Sequence, residues 1–164
     1  MKKKSKLQII SQANVSFDSA GVVTLLLKDH RAMRELMEKI DSPRATQRAI
    51  FAAYAKLEKL VHSHMKAEEE SLLHRLKDHK LFEDKAKEGI EEHRVHELIM
   101  AHVHRVKDPE RRAIHMHIFC EVLEHHLKEE ETKLFPRVQK NIALTTRKKI
   151  GKIFAKKRSS GPKP

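Results

Sequence analysis

From Val22 to Val138 the apolar residues recur three and four positions apart, the spacing of one face of a helix. Leu26, Met33, Met37 and Ile40 form the stripe of a first helix, with Asp18 or Ser19 as its cap and an end near Ile40. Asp41-Ser42-Pro43 reads as a stop followed by a start, with Ser42 as N-cap and Pro43 in the first helical position. Ile50, Ala53, Leu57, Leu60 and Val61 then predict a long second helix reaching about Asp78. A third runs from Glu83 to Val106 with Ile90 and Met100 inward and Gly89 as a local weak point. Asp108-Pro109 repeats the cap-then-proline start, and Phe119, Val122, Leu123, Leu127 and Leu134 mark a fourth helix ending before Pro136. Short connections favour antiparallel neighbours, so the expected fold is all-α, an antiparallel up-down-up-down four-helix bundle. The second and fourth helices end alike, EEESLLHRL and EEETKLFPRV, as if one helical hairpin were used twice.

Composition supports helix over sheet. The chain has 164 residues, about one domain, with four Gly, five Pro, no Trp and abundant Leu, Ala, Glu, Lys and Met. The net charge of +12 is confined to the ends: residues 1–20 carry +3, residues 140–164 carry +9, and the stretch between is neutral. The expected organisation is a basic N-terminal tail (1–18), a bundle (19–138) and a basic C-terminal extension (139–164). One cysteine, Cys120, excludes an internal disulfide framework. No secretory h-region follows the basic start, and no apolar run approaches a membrane span, so a soluble cytoplasmic protein is expected.

Thirteen histidines change the picture, because they invite a metal reading. A His followed four residues later by Glu puts both side chains on one helix face, and six such pairs occur, starting at His64, His79, His93, His117, His125 and His126. In a Glu-rich helical chain most arise by chance, and register separates them. His64 and Glu68 continue the apolar line from Leu57, Leu60 and Val61 towards Leu72; His126 and Glu130 continue Phe119 and Leu123 towards Leu134. Ionised carboxylates on a core line cost several kcal/mol each unless paired or metal-bound. The His125–Glu129 register, turned towards Ile118 and Val122, ranks second. His30 lies between Leu26 and Met33, and His93 between Ile90 and Met100 with Glu97 one turn on. Each helix thus sends a His inward, and two add a Glu. Four His with two Glu exceed a structural tetrahedral zinc and suit a dinuclear centre. The other histidines (62, 74, 79, 96, 102, 104, 115 and 117) read as solvated or supporting residues.

The segments LLLKDHRAM, HMKAEEESLL, EEHRVHEL and HLKEEETKLFP, in that order over roughly residues 20–138, resemble the hemerythrin-like, or HHE cation-binding, family. The resemblance implies two irons bridged by carboxylates in a four-helix bundle. It assigns His30 and His64 to one iron, His93 and His126 to the other, and Glu68 and Glu130 as bridges. Oxygen-carrying hemerythrins have a further His one turn after the third-helix ligand; here Glu97 is expected there, as a ligand or beside a water.

The function expected is binding or sensing of O2 or of reactive oxygen or nitrogen species by a di-iron module, with Leu26, Leu60, Phe119 and Leu123 excluding water. A rival is an enzyme turning over peroxide or nitric oxide or supplying iron for iron–sulfur repair, towards which Glu97 points. Another is an interaction module, since TTRKKIGKIFAKKR places Ile150, Ile153 and Phe154 near one face of a short basic helix suited to an acidic partner, a membrane surface or nucleic acid. Against it stands a solvated basic tail; removing residues 141–164 is expected to weaken a salt-dependent association where one exists and to leave metal content unchanged. Sequence-specific nucleic-acid reading is not expected.

Overall fold

The computed structural model describes residues 21–159, which are helical with no strand among them. The cap expected at Asp18 or Ser19 and the N-terminal tail lie outside the described residues. Helix α1 spans Val22–Ile40. Helix α2 spans Gln47–Glu68 and continues through a π-helical turn, Glu69–Leu73, into a last α-turn, His74–Leu76. Helix α3 is Glu83–Arg105. Helix α4 is Pro109–Glu129, followed by a second π turn, Glu130–Leu134, and the segment Phe135–Asn141. Helix α5 is Leu144–Ser159.

Two boundaries differ from the sequence reading. Ser42 and Pro43 do not open α2. Ser42 accepts from Ala45 N at 2.9 Å in a tight turn, and Thr46 is the cap, its hydroxyl accepting from Ala49 N at 3.3 Å. The fixed φ of a proline suits a turn as well as a helix start, and here a better-placed hydroxyl follows. Pro136 does not stop the fourth helix either. It stands in the first turn of Phe135–Asn141, where the π turn has already broken the hydrogen-bond ladder that a proline would interrupt. Asp108 caps α4 as expected, accepting from Arg111 N at 2.7 Å.

Among the described residues the interior has two apolar clusters. One joins Met33, Met37, Leu57, Leu60, Val61, Met100, Phe119 and Leu123 with their neighbours. The other joins Val22, Leu26, Leu72, Leu73, Phe82, Leu134, Phe135 and Val138. On α1, α2 and α4 the stripe passes from one cluster to the other through buried histidines, with a buried glutamate on α2 and at the end of α4, so a polar slice crosses the core between them.

The basic C-terminal segment is a fifth helix, not a solvated extension. Ile150 and Phe154, one turn apart, are buried in the second cluster, with Gly151 beside them, and α5 packs on α1, α2 and the first π turn. Burying two such side chains is worth roughly 2 kcal/mol each. No helix among the described residues is long and apolar enough to cross a membrane.

Candidate metal centre

The polar slice consists of His30 from α1, His64 and Glu68 from α2, His93 and His96 from α3, His126 from α4 and Glu130 from the turn that follows it, each at most 4 % exposed. Donor atoms of Glu68, His93, His126 and Glu130 all lie within 4.8 Å of one another, and so do those of His30, His64 and Glu130. Glu130 belongs to both groups. Glu68 Oε2 stands 3.4 Å from His64 Nε2 and 3.7 Å from His93 Nε2, so it too faces both pairs of histidines. His30 Nε2 is 3.4 Å from Glu130 Oε2, and His126 Nε2 is 3.6 Å from Glu130 Oε1. Two ligands about 2.1 Å from one cation stand about 3.0–3.4 Å apart, so these separations suit edges of a coordination polyhedron better than hydrogen bonds.

Each of the four histidines is held from behind by a carboxylate on the neighbouring helix. Asp29 on α1 meets His64 Nδ1 (3.3 Å); Glu69 after α2 meets His93 Nδ1 (2.8 Å); Glu92 on α3 meets His126 Nδ1 (2.7 Å); Glu131 after α4 meets His30 Nδ1 (2.9 Å). The four contacts close a ring round the bundle, each helix supplying one inward imidazole and one carboxylate for the next. An Nδ1–H donated to a carboxylate fixes the tautomer and leaves the Nε2 lone pair inward, which is how metal-binding imidazoles are oriented. Those four Nε2 atoms and both oxygens of Glu68 and Glu130 are buried with no hydrogen-bond partner. Leaving so many polar atoms unmet would cost about 1–3 kcal/mol apiece, and metal cations are the partners their chemistry fits.

Electrostatics agree. Burial disfavours charge on His64, yet the Asp29 and Glu68 carboxylates raise its pKa to about 9. His126 is raised against burial by Glu130 and Glu92, whereas burial prevails in His30 and His93 and lowers both. Burial also opposes charge on Glu68, but the His64 imidazole 3.4 Å away and those of His93 and His126 hold it down at about 2. Glu130 is pushed up to about 8 by burial and by the charge of Glu68. A second negative charge is resisted here unless positive charge accompanies it.

Six of the seven residues singled out in the sequence therefore come together. Glu97 does not: it is exposed on the outer face of α3. His96, three residues after His93 instead of four, turns inward in its place. Both ring nitrogens of His96 are buried without a partner, its ring centroid is 5.0 Å from that of His126, and burial lowers its pKa to about 4. The apolar lining expected from Leu26, Leu60, Phe119 and Leu123 is buried, and Phe119 meets the His96 ring edge-on at 5.9 Å.

The ring carboxylates were not singled out in the sequence, although adjacency signals them: each lies one residue from an inward ligand, in Asp29-His30, Glu68-Glu69, Glu92-His93 and Glu130-Glu131. A step of about 100° carries the side chain from the core line to the neighbouring helix. Arg34 and Arg158 are further supports. Arg34 Nη1 donates to Glu131 Oε1 at 2.7 Å, and Arg158 Nε from α5 donates to Asp29 Oδ2 at 2.7 Å. Phe154 of α5 also meets the His64 ring, at 5.9 Å between centroids.

A helical bundle with a buried histidine–carboxylate set able to hold metal defines a cation-binding domain. The chain matches the hemerythrin HHE cation binding domain over residues 21–138, and it belongs to that family. No curated protein and no solved structure matches it. The matched region stops short of α5, so the helix carrying Phe154 and Arg158 lies outside it.

Proposed function

We propose that this chain is a non-haem di-iron protein that binds or senses O2 or a reactive oxygen or nitrogen species. In this reading α1–α4 form the family's antiparallel four-helix bundle, between the N-terminal tail and α5. His30 and His64 hold one iron, His93 and His126 the other, and Glu68 and Glu130 bridge them. The observation that carries the reading is the closed ring of Nδ1–carboxylate contacts, which leaves four imidazole Nε2 atoms unpartnered around two carboxylates. When bound, a pair of ferrous ions supplies electrons and an open coordination position to a small ligand.

The chain's own residues supply the rest. The ring fixes imidazole orientation. Leu60, Phe119 and Leu123 exclude water from one side of the slice, and Leu26 and Phe154 from the other. His96 stays neutral beside the His93–His126 pair and offers an N–H to a small ligand or a lone pair to a cation. The turnover reading leaned on Glu97, and with Glu97 exposed it has no residue of its own at the site. Binding is therefore the function we adopt.

Anaerobic titration with iron(II), followed by elemental analysis and Mössbauer spectroscopy, tests this. The expected result is two irons per chain with a coupled spectrum after oxidation. One iron or none, or retention of zinc in preference to iron, would sink it.

A further inference from the structure

The His125–Glu129 pair, second in register by sequence, is not used by the buried centre. His125 is exposed on α4, and its ring lies with Glu92 and Glu129 in a third group whose donor atoms fall within 4.8 Å of one another. Glu92 and Glu129 of this group, but not His125, also line a cavity of about 10 Å³, roughly one water's room, together with Lys85, Glu88, Gly89, Glu130 and Leu134. Glu130 is the telling member. It is 4 % exposed, neither of its carboxylate oxygens has a hydrogen-bond partner, and it borders the cavity from the buried end.

From these observations we propose a second cation site, formed by Glu92, His125 and Glu129, which receives a hydrated divalent cation and passes it beside Gly89 to Glu130. The proposal rests on the buried centre described above as the destination. The outer group is already organised around positive charge: Lys85 Nζ meets Glu129 Oε1 at 2.8 Å and also pairs with Glu88, while Lys133 Nζ meets the same Glu129 oxygen at 2.6 Å. An arriving dication would replace those ammonium groups on Glu129, and Lys85, 26 % exposed at its side chain, keeps Glu88 as a partner when it does so. Gly89 lines the cavity from α3, between Glu92 of the outer group and the buried Glu130. Glu92 is shared between the outer site and the ring, since it also holds His126 Nδ1 at 2.7 Å. The carboxylate that first meets the cation thus touches the imidazole that finally binds it.

Stopped-flow uptake of cobalt(II) by the metal-free, full-length chain tests the route through the cobalt absorption bands. His125→Ala and Glu129→Gln are each expected to slow loading about tenfold, the loss of local electrostatic concentration, with unchanged final stoichiometry. Lys85→Gln is expected to speed it. Manganese(II) well below one equivalent should broaden the His125 ring signals in NMR spectra of the native chain and not in Glu129→Gln, which reads the outer site independently of the interior. Loading at the native rate in the double variant His125→Ala/Glu129→Gln overturns the route and leaves the buried centre standing. A chain that takes up no cobalt overturns the buried centre and its supply route together, and absence of broadening at His125 overturns the outer site.

Discussion

At the scale of single residues, the site depends on carboxylates that never face the metal position. Glu69 and Glu131 follow the inward Glu68 and Glu130 directly, and each turns to hold a histidine of another helix. Replacing either by Gln keeps the size but removes the charge that orients and strengthens the imidazole as a ligand. Glu69→Gln and Glu131→Gln are each expected to lower metal affinity by about 10- to 100-fold with little change in helicity, measured by competition with a chromophoric chelator and by circular dichroism. Affinity unchanged in both variants would mean the ring is incidental. These roles escape a reading of apolar stripes, which sees what lies on the core line and is blind to a residue one step round the helix. Glu97 shows the same limit. A spacing of four and a spacing of three both return to one face, and only the packing of α3 decides that His96, not Glu97, is inward.

At the scale of elements, the stripes and the Asp108-Pro109 start made four helices legible, and the repeated EEESLL and EEETKL segments marked where two of them change. Both segments hold a π turn beginning directly after Glu68 or at Glu130. Such turns re-aim the chain beside functional sites, and a period of 3.6 residues does not reveal them. The fifth helix was legible only as an apolar face without an owner. Its packing argues that removing residues 141–164 should weaken metal binding instead of sparing it, because Phe154 meets His64 and Arg158 holds the Asp29 that orients it. The two contacts are separable. Phe154→Ala is expected to destabilise the chain by about 3 kcal/mol, read from chemical denaturation. Arg158→Gln, on a half-buried side chain, is expected to leave stability nearly intact while weakening metal binding at the His30–His64 pair. If Phe154→Ala costs nothing, α5 is not docked as described.

At the scale of the whole molecule, the two helical hairpins repeat one pattern of ligands and ring carboxylates in unlike surroundings. Positions correspond through the repeat: His30 with His93, His64 with His126, Glu68 with Glu130, and Asp29 and Glu69 with Glu92 and Glu131. Around the His30–His64 pair the ring carboxylates, Asp29 and Glu131, are 15 % and 11 % exposed at the side chain, and Arg158 and Arg34 pin them. Around the His93–His126 pair, Glu69 and Glu92 are 28 % and 29 % exposed, and among the described residues no arginine holds them. Phe154 of α5 lies against His64 of the first pair, whereas the acidic cavity is lined by Glu92 and Glu130 beside the second. If the centre holds two cations, as proposed, it should therefore release them unequally. Chelation of the loaded chain is expected to proceed in two phases, the faster removing the ion at His93 and His126. Arg158→Gln frees Asp29 and should draw the slower phase towards the faster one, while His125→Ala should slow the fast phase, because exit shares the path of entry. A single phase in the native chain, or a slow phase indifferent to Arg158, would show that the two halves are equivalent despite their unlike cover.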